Sequence, residues 1–483
     1  MKDLIEVHLR TYRSALRSSK EIEISTLIPT YLKMEPLLHP QAASRQLDPE
    51  ALSYALGRLP KEILQTKLVI LGQTKNIFRQ AGFDLTGWRR TQARRRRRRY
   101  FFQPQKKILA SLVTSISDVD DLVNLLIALE IEVNKLIDQG QEKFQKLTLP
   151  KEPLKLKIRL LSGSWTNFAK AVQNWWRLVV RRAKPQFDLL KQPLIFVSSN
   201  NHSLINLLDP FCLEERDRIL PYLPEQTPRP KIKKNYLVYY ASQFAFQQEP
   251  KLWQKKLAQE KKKGIIRLPP TDHLPLETQI IPGRLISSRL KEAVLLNIEY
   301  PLGFAAFHLL EEVLENSQKV LGVYIMGKAA ALNTKPGDIL IPKIVFDEHT
   351  QNTYLVANCF NNNFPYQFHS GSVLDNQRLV SVLGTFLENK GLFDAYSEKE
   401  FNIIEMEAGP YLGAVAQATY PKPLPQKSIV DLHQPPFDLG LIYYSSDNPY
   451  TLAKTLGKFL GINAIEATYL TTQAIIDRIK RLD

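Results

Sequence analysis

The sequence predicts a mainly α-helical amino-terminal domain followed by an α/β carboxyl-terminal domain with a mixed, mostly parallel sheet flanked by helices. Three observations carry that expectation. Residues 1–190 hold 34 Lys+Arg against 18 Asp+Glu, a net +16, whereas residues 191–483 hold 31 against 30, so nearly all of the chain's +17 lies in the first part. Apolar residues there recur at three and four spacings, as in LASLVTSISDVDDLVNLLIALEIEVNKLIDQ, the period of an amphipathic helix. From Leu285 onward short apolar runs alternate with amphipathic ones, the pattern of strands joined by helices in a largely parallel sheet.

A chain of 483 residues is too long for one core and divides into domains. The shifts in pattern place a basic, mainly helical domain at 1–190, a connecting α/β segment at 191–284 that belongs with the carboxyl-terminal domain, and the α/β domain proper at 285–483. The start, MKDLIEVHLRTYRS, is charged and lacks the apolar stretch of a secretory signal. No apolar run reaches the roughly 20 residues that span a bilayer, so no membrane partner is expected. Cys212 and Cys359 stand far apart, which fits packing residues in a reducing cytoplasm and neither a disulfide framework nor a zinc site.

In the first domain, Ser117 or Asp118 reads as the N-cap of a helix through Leu122–Leu136, with Asp118, Asp120 and Asp121 at the positive end of its dipole. Trp165, Trp175 and Trp176 fall on a later helix that Pro185 stops. LIFVSS, then Asn200-Asn201-His202-Ser203, then LINLL reads as strand, polar loop and helix. KNYLVYYASQFAFQ, rich in Tyr, Phe and Val, reads as a strand or a buried segment. Residues 221–234 and 267–284 are proline-rich connectors. Beyond them AVLLNI, VLGVYIMG, DILIPKIVF, FNIIEME and LGLIYYSSD are strands, while GFAAFHLLEEVLE, YLGAVAQATY, PYTLAKTLGKFLG and AIEATYLTTQAIIDRIKRL are helices.

Three places could carry chemistry. After the strand Val323–Met326 comes Gly327-Lys328-Ala329-Ala330-Ala331-Leu332-Asn333, read as a turn of small residues whose backbone amides can approach an anion. Glu405-Met406-Glu407-Ala408-Gly409 ends an apolar strand, where α/β sheets collect their ligands, and a carboxylate there can hold two vicinal hydroxyls. Tyr443-Tyr444-Ser445-Ser446-Asp447 is a second strand that ends on a carboxylate, suited either to protonating a ring nitrogen or to capping the next helix.

Taken in order, GKAAALN…PGDILIP, EMEAGPYLGAV and YYSSDNP resemble the motifs of the purine nucleoside phosphorylase and methylthioadenosine/S-adenosylhomocysteine nucleosidase superfamily. These are a G-S/T-A-G-G-like turn, a G-D-hydrophobic strand, an M-E-A motif and an S-D motif. The similarity covers about Val294–Leu470. The whole chain also resembles an uncharacterised bacterial family in which a helical region precedes this phosphorylase-like half.

The resemblance implies cleavage of the N-glycosidic bond of a purine nucleoside or nucleotide. It assigns ribose binding to Met406 and Glu407, base binding to Ser446 and Asp447 with Asp447 catalytic, and the anion or nucleophile side to Gly327, Lys328 and Ala329. It implies no cofactor, and phosphate only as a co-substrate. It also leaves room for a homo-oligomer with subunit contacts near the site. Lys328 stands where the superfamily has a hydroxyl residue, and no arginine matches its phosphate ligand, so hydrolysis is as well supported as phosphorolysis. Lys328 could instead hold a phosphate carried by the substrate itself.

Asn201 and His202 after LIFVSS, and His349 after DILIPKIVF, are further candidates for the pocket wall; no third ligand accompanies Asp347 and His349, so no metal is expected. Arg94, Arg95, Arg96, Arg97, Arg98 and Arg99, flanked by Trp88, Tyr100, Phe101 and Phe102, have the basic-aromatic character of a nucleic-acid or phosphate contact. They also read as a solvated helix face meeting acids such as Glu130 and Glu132. The second functional reading follows: a nucleotide-sensing or nucleic-acid-binding protein that retains the phosphorylase-like fold without its chemistry.

Overall fold

A computed structural model describes every residue except 1, 19, 94–97, 162–167, 226–231, 272–273, 362–363, 451–460 and 483. The amino-terminal part runs α1 (Lys2–Arg17), β1 (Ile22–Glu23), α2 (Ile28–Lys33), α3 (Pro49–Arg58), β2 (Leu68–Gly72), α4 (Lys75–Gln80), β3 (Arg89–Gln92), β4 (Arg99–Gln103), β5 (Ile108–Leu112), α5 (Ile116–Asp138), β6 (Lys143–Phe144), β7 (Leu147–Thr148) and β8 (Lys157–Leu160). Six of these strands form one sheet in the order β1-β8-β2-β5-β4-β3. This part is therefore α/β and not mainly helical. Its strands are two to five residues long, too short to leave a clear alternating signature.

Helix α5 is the axis of the amino-terminal core. Both faces of its middle are buried, from Val119 through Val133, and acids are buried along with them. Asp120 accepts from Tyr12 Oη (2.7 Å) and Arg13 Nε (3.1 Å). Glu130 accepts from Leu156 N (2.8 Å), and Glu132 accepts from Asp48 N (2.6 Å) and pairs with His39 (2.8 Å). Arg98 Nη2 reaches Asp118 (2.6 Å) and Asp121 (3.3 Å). The helix begins at Ile116 with Ser115 at its cap position, two residues before the expected Ser117. Asp118 instead bonds back to Thr114 N (2.7 Å), which satisfies an amino-terminal donor from inside the first turn.

The described members of the arginine run, Arg98 and Arg99, do not lie on a helix. Arg99 opens β4 and pairs with Gln92 of β3, and Arg98 just before it is a buried counter-ion to two aspartates that the sequence reading did not pair with it. Arg94, Arg95, Arg96 and Arg97 lie outside the described residues.

The carboxyl-terminal part runs α6 (Ala169–Ala183), β9 (Leu194–Ser199), α7 (Ser203–Leu208), α8 (Phe211–Glu214), α9 (Arg216–Ile219), α10 (Lys234–Gln248), α11 (Pro250–Lys262), β10 (Ile266–Leu268), β11 (Thr278–Pro282), β12 (Val294–Glu299), α12 (Ala305–Asn316), β13 (Val320–Ala331), β14 (Ile339–Asp347), β15 (Thr353–Val356), β16 (Val373–Ser381), α13 (Lys390–Glu398), β17 (Phe401–Glu405), α14 (Ala408–Thr419), β18 (Ile429–Leu432), β19 (Asp438–Asp447) and α15 (Ile465–Ile479). Its eleven strands form one mixed sheet. The pairings β13–β17, β17–β16, β16–β14, β14–β19 and β19–β13 close a ring of five strands. From β13 the sheet continues through β9, β12, β11 and β10.

Several local expectations are corrected. KNYLVYYASQFAFQ is helix α10. Its aromatics, which favour strands only as half-buried surface, pack on α15, with Tyr239 stacked on Tyr469 at 4.5 Å. Residues 267–284 include β10 and β11, a pair of antiparallel strands. The expected helix PYTLAKTLGKFLG lies mostly outside the described residues. Helix α6, read as part of the first 190 residues, packs Val172, Trp175 and Trp176 into the carboxyl-terminal core.

The two parts interlock. Phe386 and Leu387, which follow β16, sit in the amino-terminal core. Leu37 N donates to Glu388 O (2.7 Å), and Tyr54 Oη to Thr385 Oγ1 (3.1 Å). No described helix is long and apolar enough to cross a membrane.

Removing Arg98 would leave two buried carboxylates without their cation. Arg98→Ala is expected to lower unfolding free energy by about 3–5 kcal/mol in urea titrations. Arg10→Ala, which breaks an exposed pair with Glu6, should change it by less than about 1 kcal/mol.

Candidate active site

Strand β13 changes partners along its length. It pairs with β9 as far as Ile325 and with β17 only at Ala330 and Ala331, while β19 follows it from Gly322 to Ala330. Between those points, on the edge away from β19, no strand pairing holds Met326 to Ala329. That gap, at the carboxyl ends of the parallel strands, is where an open sheet admits a ligand.

Gly327, Lys328 and Ala329 are therefore strand residues and not the expected turn. Gly327 is small for packing: a Cβ there would lie 2.7 Å from the Tyr443 ring, its register partner on β19. Lys328, on an otherwise buried strand, is exposed, and it lines the cavity that opens at the gap.

The strand ends beside it are organised by side chain to backbone bonds. At the end of β17, Glu405 turns back and accepts from Glu407 N (2.7 Å) and Ala408 N (2.8 Å), which fixes the Met406–Glu407 corner ahead of α14. Ser381 Oγ donates to its other oxygen and accepts from Gly409 N (2.6 Å). Burial, and then the Glu407 carboxylate, pushes Glu405 up to about 8. Glu407 Oε1 accepts from Gly303 N (2.9 Å) in the loop between β12 and α12. At the end of β19, Ser446 Oγ lies 3.1 Å from Ala329 O and donates to the Asp447 carboxylate. Asp447 itself is buried.

Met406, Glu407, Ser446, Asp447, Gly327 and Lys328 line a single cavity of about 360 Å³. Ala329 is buried beside it and lends its carbonyl to Ser446. The amino-terminal part closes the cavity with Leu38, Tyr54 and Arg58 from α3 and the turn before it. The Arg58 guanidinium sits 3.3 Å from the centre of the Tyr54 ring, a cation–π stack. The sequence reading missed both residues, because a single Tyr and a single Arg on a short helix carry no mark of what they face.

Two further chambers adjoin. One, of about 720 Å³, is lined by Asn201 and His202 among others; the second, of about 310 Å³, is lined by Arg98 and Asp118. Tyr300 and Lys328 belong to the walls of all three chambers. The loop before α7 is capped by Asn200, which accepts from His202 N (3.0 Å) and Ser203 N (2.7 Å).

His349 does not line these chambers. It lies beside them, bonded to Asp347 (3.1 Å), 3.4 Å from Ser117 Oγ and against the Phe304 ring. Ser117 Oγ in turn accepts from Phe304 N (2.9 Å).

A family model described as "Family of unknown function (DUF6909)" matches residues 24–149 and 138–481. No curated protein matches the chain. Among solved structures, uridine phosphorylase from Schistosoma mansoni in complex with uracil aligns at 9% identity and a TM-score of 0.34, over 62% of this chain and 90% of that one. The 5′-methylthioadenosine/S-adenosylhomocysteine nucleosidase of Neisseria meningitidis aligns at 13% and 0.31, over 60% and 99%. The S-adenosylhomocysteine nucleosidase of Streptococcus pyogenes aligns at 10% and 0.31, over 61% and 98%.

The raised Glu405 has a stability consequence. Its folded pKa, about 8, lies above the 4.5 of an unperturbed glutamate, so between those values the folded state holds a proton that the unfolded state has lost. Stability therefore falls as pH rises through that window. Glu405→Gln keeps an acceptor for Glu407 N and Ala408 N without the titration. Melting curves from pH 5 to pH 8 should show a shallower decline for the variant, and identical slopes would contradict the assignment.

Proposed function

Because the chain belongs to the family of unknown function DUF6909, its chemistry has to be read from its own residues, and we propose that it cleaves the N-glycosidic bond of a purine nucleoside or nucleotide. The observation that carries this reading is the meeting of Glu407, Asp447 and Lys328, from three different strands or strand ends, in one cavity of about 360 Å³. That volume suits a small ligand.

In this reading Glu407 accepts from the ribose hydroxyls and Met406 packs under the sugar. Asp447, braced by Ser446, holds the N7 edge of the base. As the C1′–N9 bond lengthens, its electron pair moves onto the ring, and N7 takes a proton through Asp447. Positive charge develops on the sugar ring and is met by the Glu407 side of the pocket. A preorganised anion and a leaving-group acid are the two large contributions such a reaction needs. Water or phosphate then adds at C1′. Lys328 on the cavity wall supports a substrate that carries its own phosphate.

The test is release of free base from a panel of purine nucleosides and their 5′-monophosphates, with and without inorganic phosphate. Asp447→Asn should lower kcat by about 10²–10⁴-fold, and Glu407→Gln should also fall well below wild type. Absence of base release from the whole panel would remove the enzyme reading. Calorimetry should give tighter binding of the monophosphate than of the nucleoside, a difference lost in Lys328→Ala; equal affinities in the wild type would exclude the role given to Lys328.

A further inference from the structure

Residues 61–108 hold 14 Lys+Arg against two Asp+Glu, a net +12 out of the chain's +17. They supply four neighbouring strands of the amino-terminal sheet, β2, β5, β4 and β3. The register of those strands and of β8 lines up one end of the sheet. Leu68 opposes both Ile108 and Lys157, Ile108 opposes Gln103, and Arg89 opposes Phe102. Lys67 N donates to Lys107 O (2.8 Å), and Lys157 N donates to Lys67 O (2.9 Å). Lys157, Lys67, Lys107, Lys106, Arg89 and Arg90 therefore follow one another across the ends of five strands, and all six are exposed. At about 4.8 Å per strand the row is roughly 20 Å long. Arg99 opposes Gln92 at the other end of β4, and the row is made without residues 94–97.

Acids at this end are fewer. Glu62 is buried and accepts from Arg89 Nη2 (3.0 Å) and Thr91 Oγ1 (2.7 Å). Glu23 of β1 lies 4.0 Å from Lys157. Glu130, close enough to Glu23 to feel its charge, is buried and accepts from Leu156 N (2.8 Å). Asp84 is bonded to Thr86 N in its own loop (3.0 Å). Lys155 and Glu21, just before β8 and β1, offset each other in charge. The six cations of the row thus outnumber Glu62, Glu23 and Glu130. Such a surplus attracts a polyanion over a Debye length, about 8 Å at physiological salt, whatever local bonds each side chain makes.

The surface around the row does not suit partners that need apolar contact. The exposed large apolar side chains among the described residues are Leu4, Val7, Leu190, Leu220, Ile429 and Tyr450, none of them in these strands. A stable protein interface has an apolar centre, and a membrane surface holds a protein by apolar burial as well as by charge. The aromatic residues beside the row belong to the core. Tyr100, Phe101 and Phe102 of β4 are buried, and Trp88 packs half-buried on the core around Phe78. Single nucleic-acid strands are held largely by stacking on such rings. A duplex presents its phosphates outward, one charge per about 1.7 Å of axis, or roughly a dozen over the length of the row.

We propose that this end of the amino-terminal sheet binds a nucleic-acid duplex through its phosphates, without reading base sequence. This binding does not depend on catalysis in the cavity of Asp447 and Glu407.

Fluorescence anisotropy on the full chain tests it, with two dye-tagged DNA duplexes of about 20 base pairs and unrelated sequence. The two duplexes should bind within about twofold of each other. Log Kd should rise against log salt with a slope of about 3 or more, the signature of roughly four or more phosphate contacts. Lys67→Gln/Lys106→Gln should weaken binding by about tenfold or more and lower the slope by about 2, while Lys67→Arg/Lys106→Arg should bind like the wild type. Lys251→Gln/Lys261→Gln, which removes two exposed charges from α11, should leave affinity within about twofold. Four results would each overturn the proposal. They are no duplex binding at about 50 mM salt, tighter binding of the separated single strands, equal losses in the two Gln double variants, and tighter binding to phosphatidylserine vesicles than to duplex.

Discussion

The first turn of α5 is the joint on which both halves of the molecule depend. Ser117 Oγ accepts from Phe304 N, and one residue earlier Gly303 N donates to Glu407. Two successive amides of one loop are thus held by side chains from opposite halves of the chain. The loop can do this only because Gly303 adopts φ +52 and has no Cβ, which would lie 2.4 Å from Ser117 Oγ. The position of the ribose-side carboxylate is tied in this way to a helix far away in sequence.

That helix is itself held electrostatically. A helix buried on nearly all sides is normally apolar, yet α5 carries buried Asp118, Asp120, Asp121, Glu130 and Glu132. Each charge is tolerable because backbone amides, Arg13, Arg98 or His39 meet it at hydrogen-bond distance, as the cost of desolvating a carboxylate demands. Basic residues that give the amino-terminal part its surplus charge are in part interior counter-ions. Arg98 belongs to this group and also to the wall of the small chamber beside Lys328, so one cation serves the core and borders the site.

The same logic makes the cavity a product of both halves. Strand ends β17 and β19 supply carboxylates, the unpaired edge of β13 supplies the opening, and α3 supplies the cover with Tyr54 and Arg58. The inserted Phe386 and Leu387 anchor that cover in the amino-terminal core, which favours a lid fixed in place over one that swings.

The sequence alone determined strands β12, β13, β14, β17 and β19 and helices α12, α14 and α15, because each carries a local apolar run or helical period; it left out β15, β16, β18 and α13. It also determined that Asp447 ends a strand and that Glu407 closely follows one, because an apolar run that stops on carboxylates is a local pattern. It could not show the amino-terminal sheet, whose strands are too short to register, nor that KNYLVYYASQFAFQ is a helix, since its aromatic residues fit either state until α15 packs against them. Only the tertiary structure decided that GKAAA is strand, that Arg98 is interior, and that Arg58, Tyr54 and the large chamber adjoin the predicted residues. These are pairings between segments tens to hundreds of residues apart, and no local period encodes them; they exist only once the sheet closes and the two cores interlock.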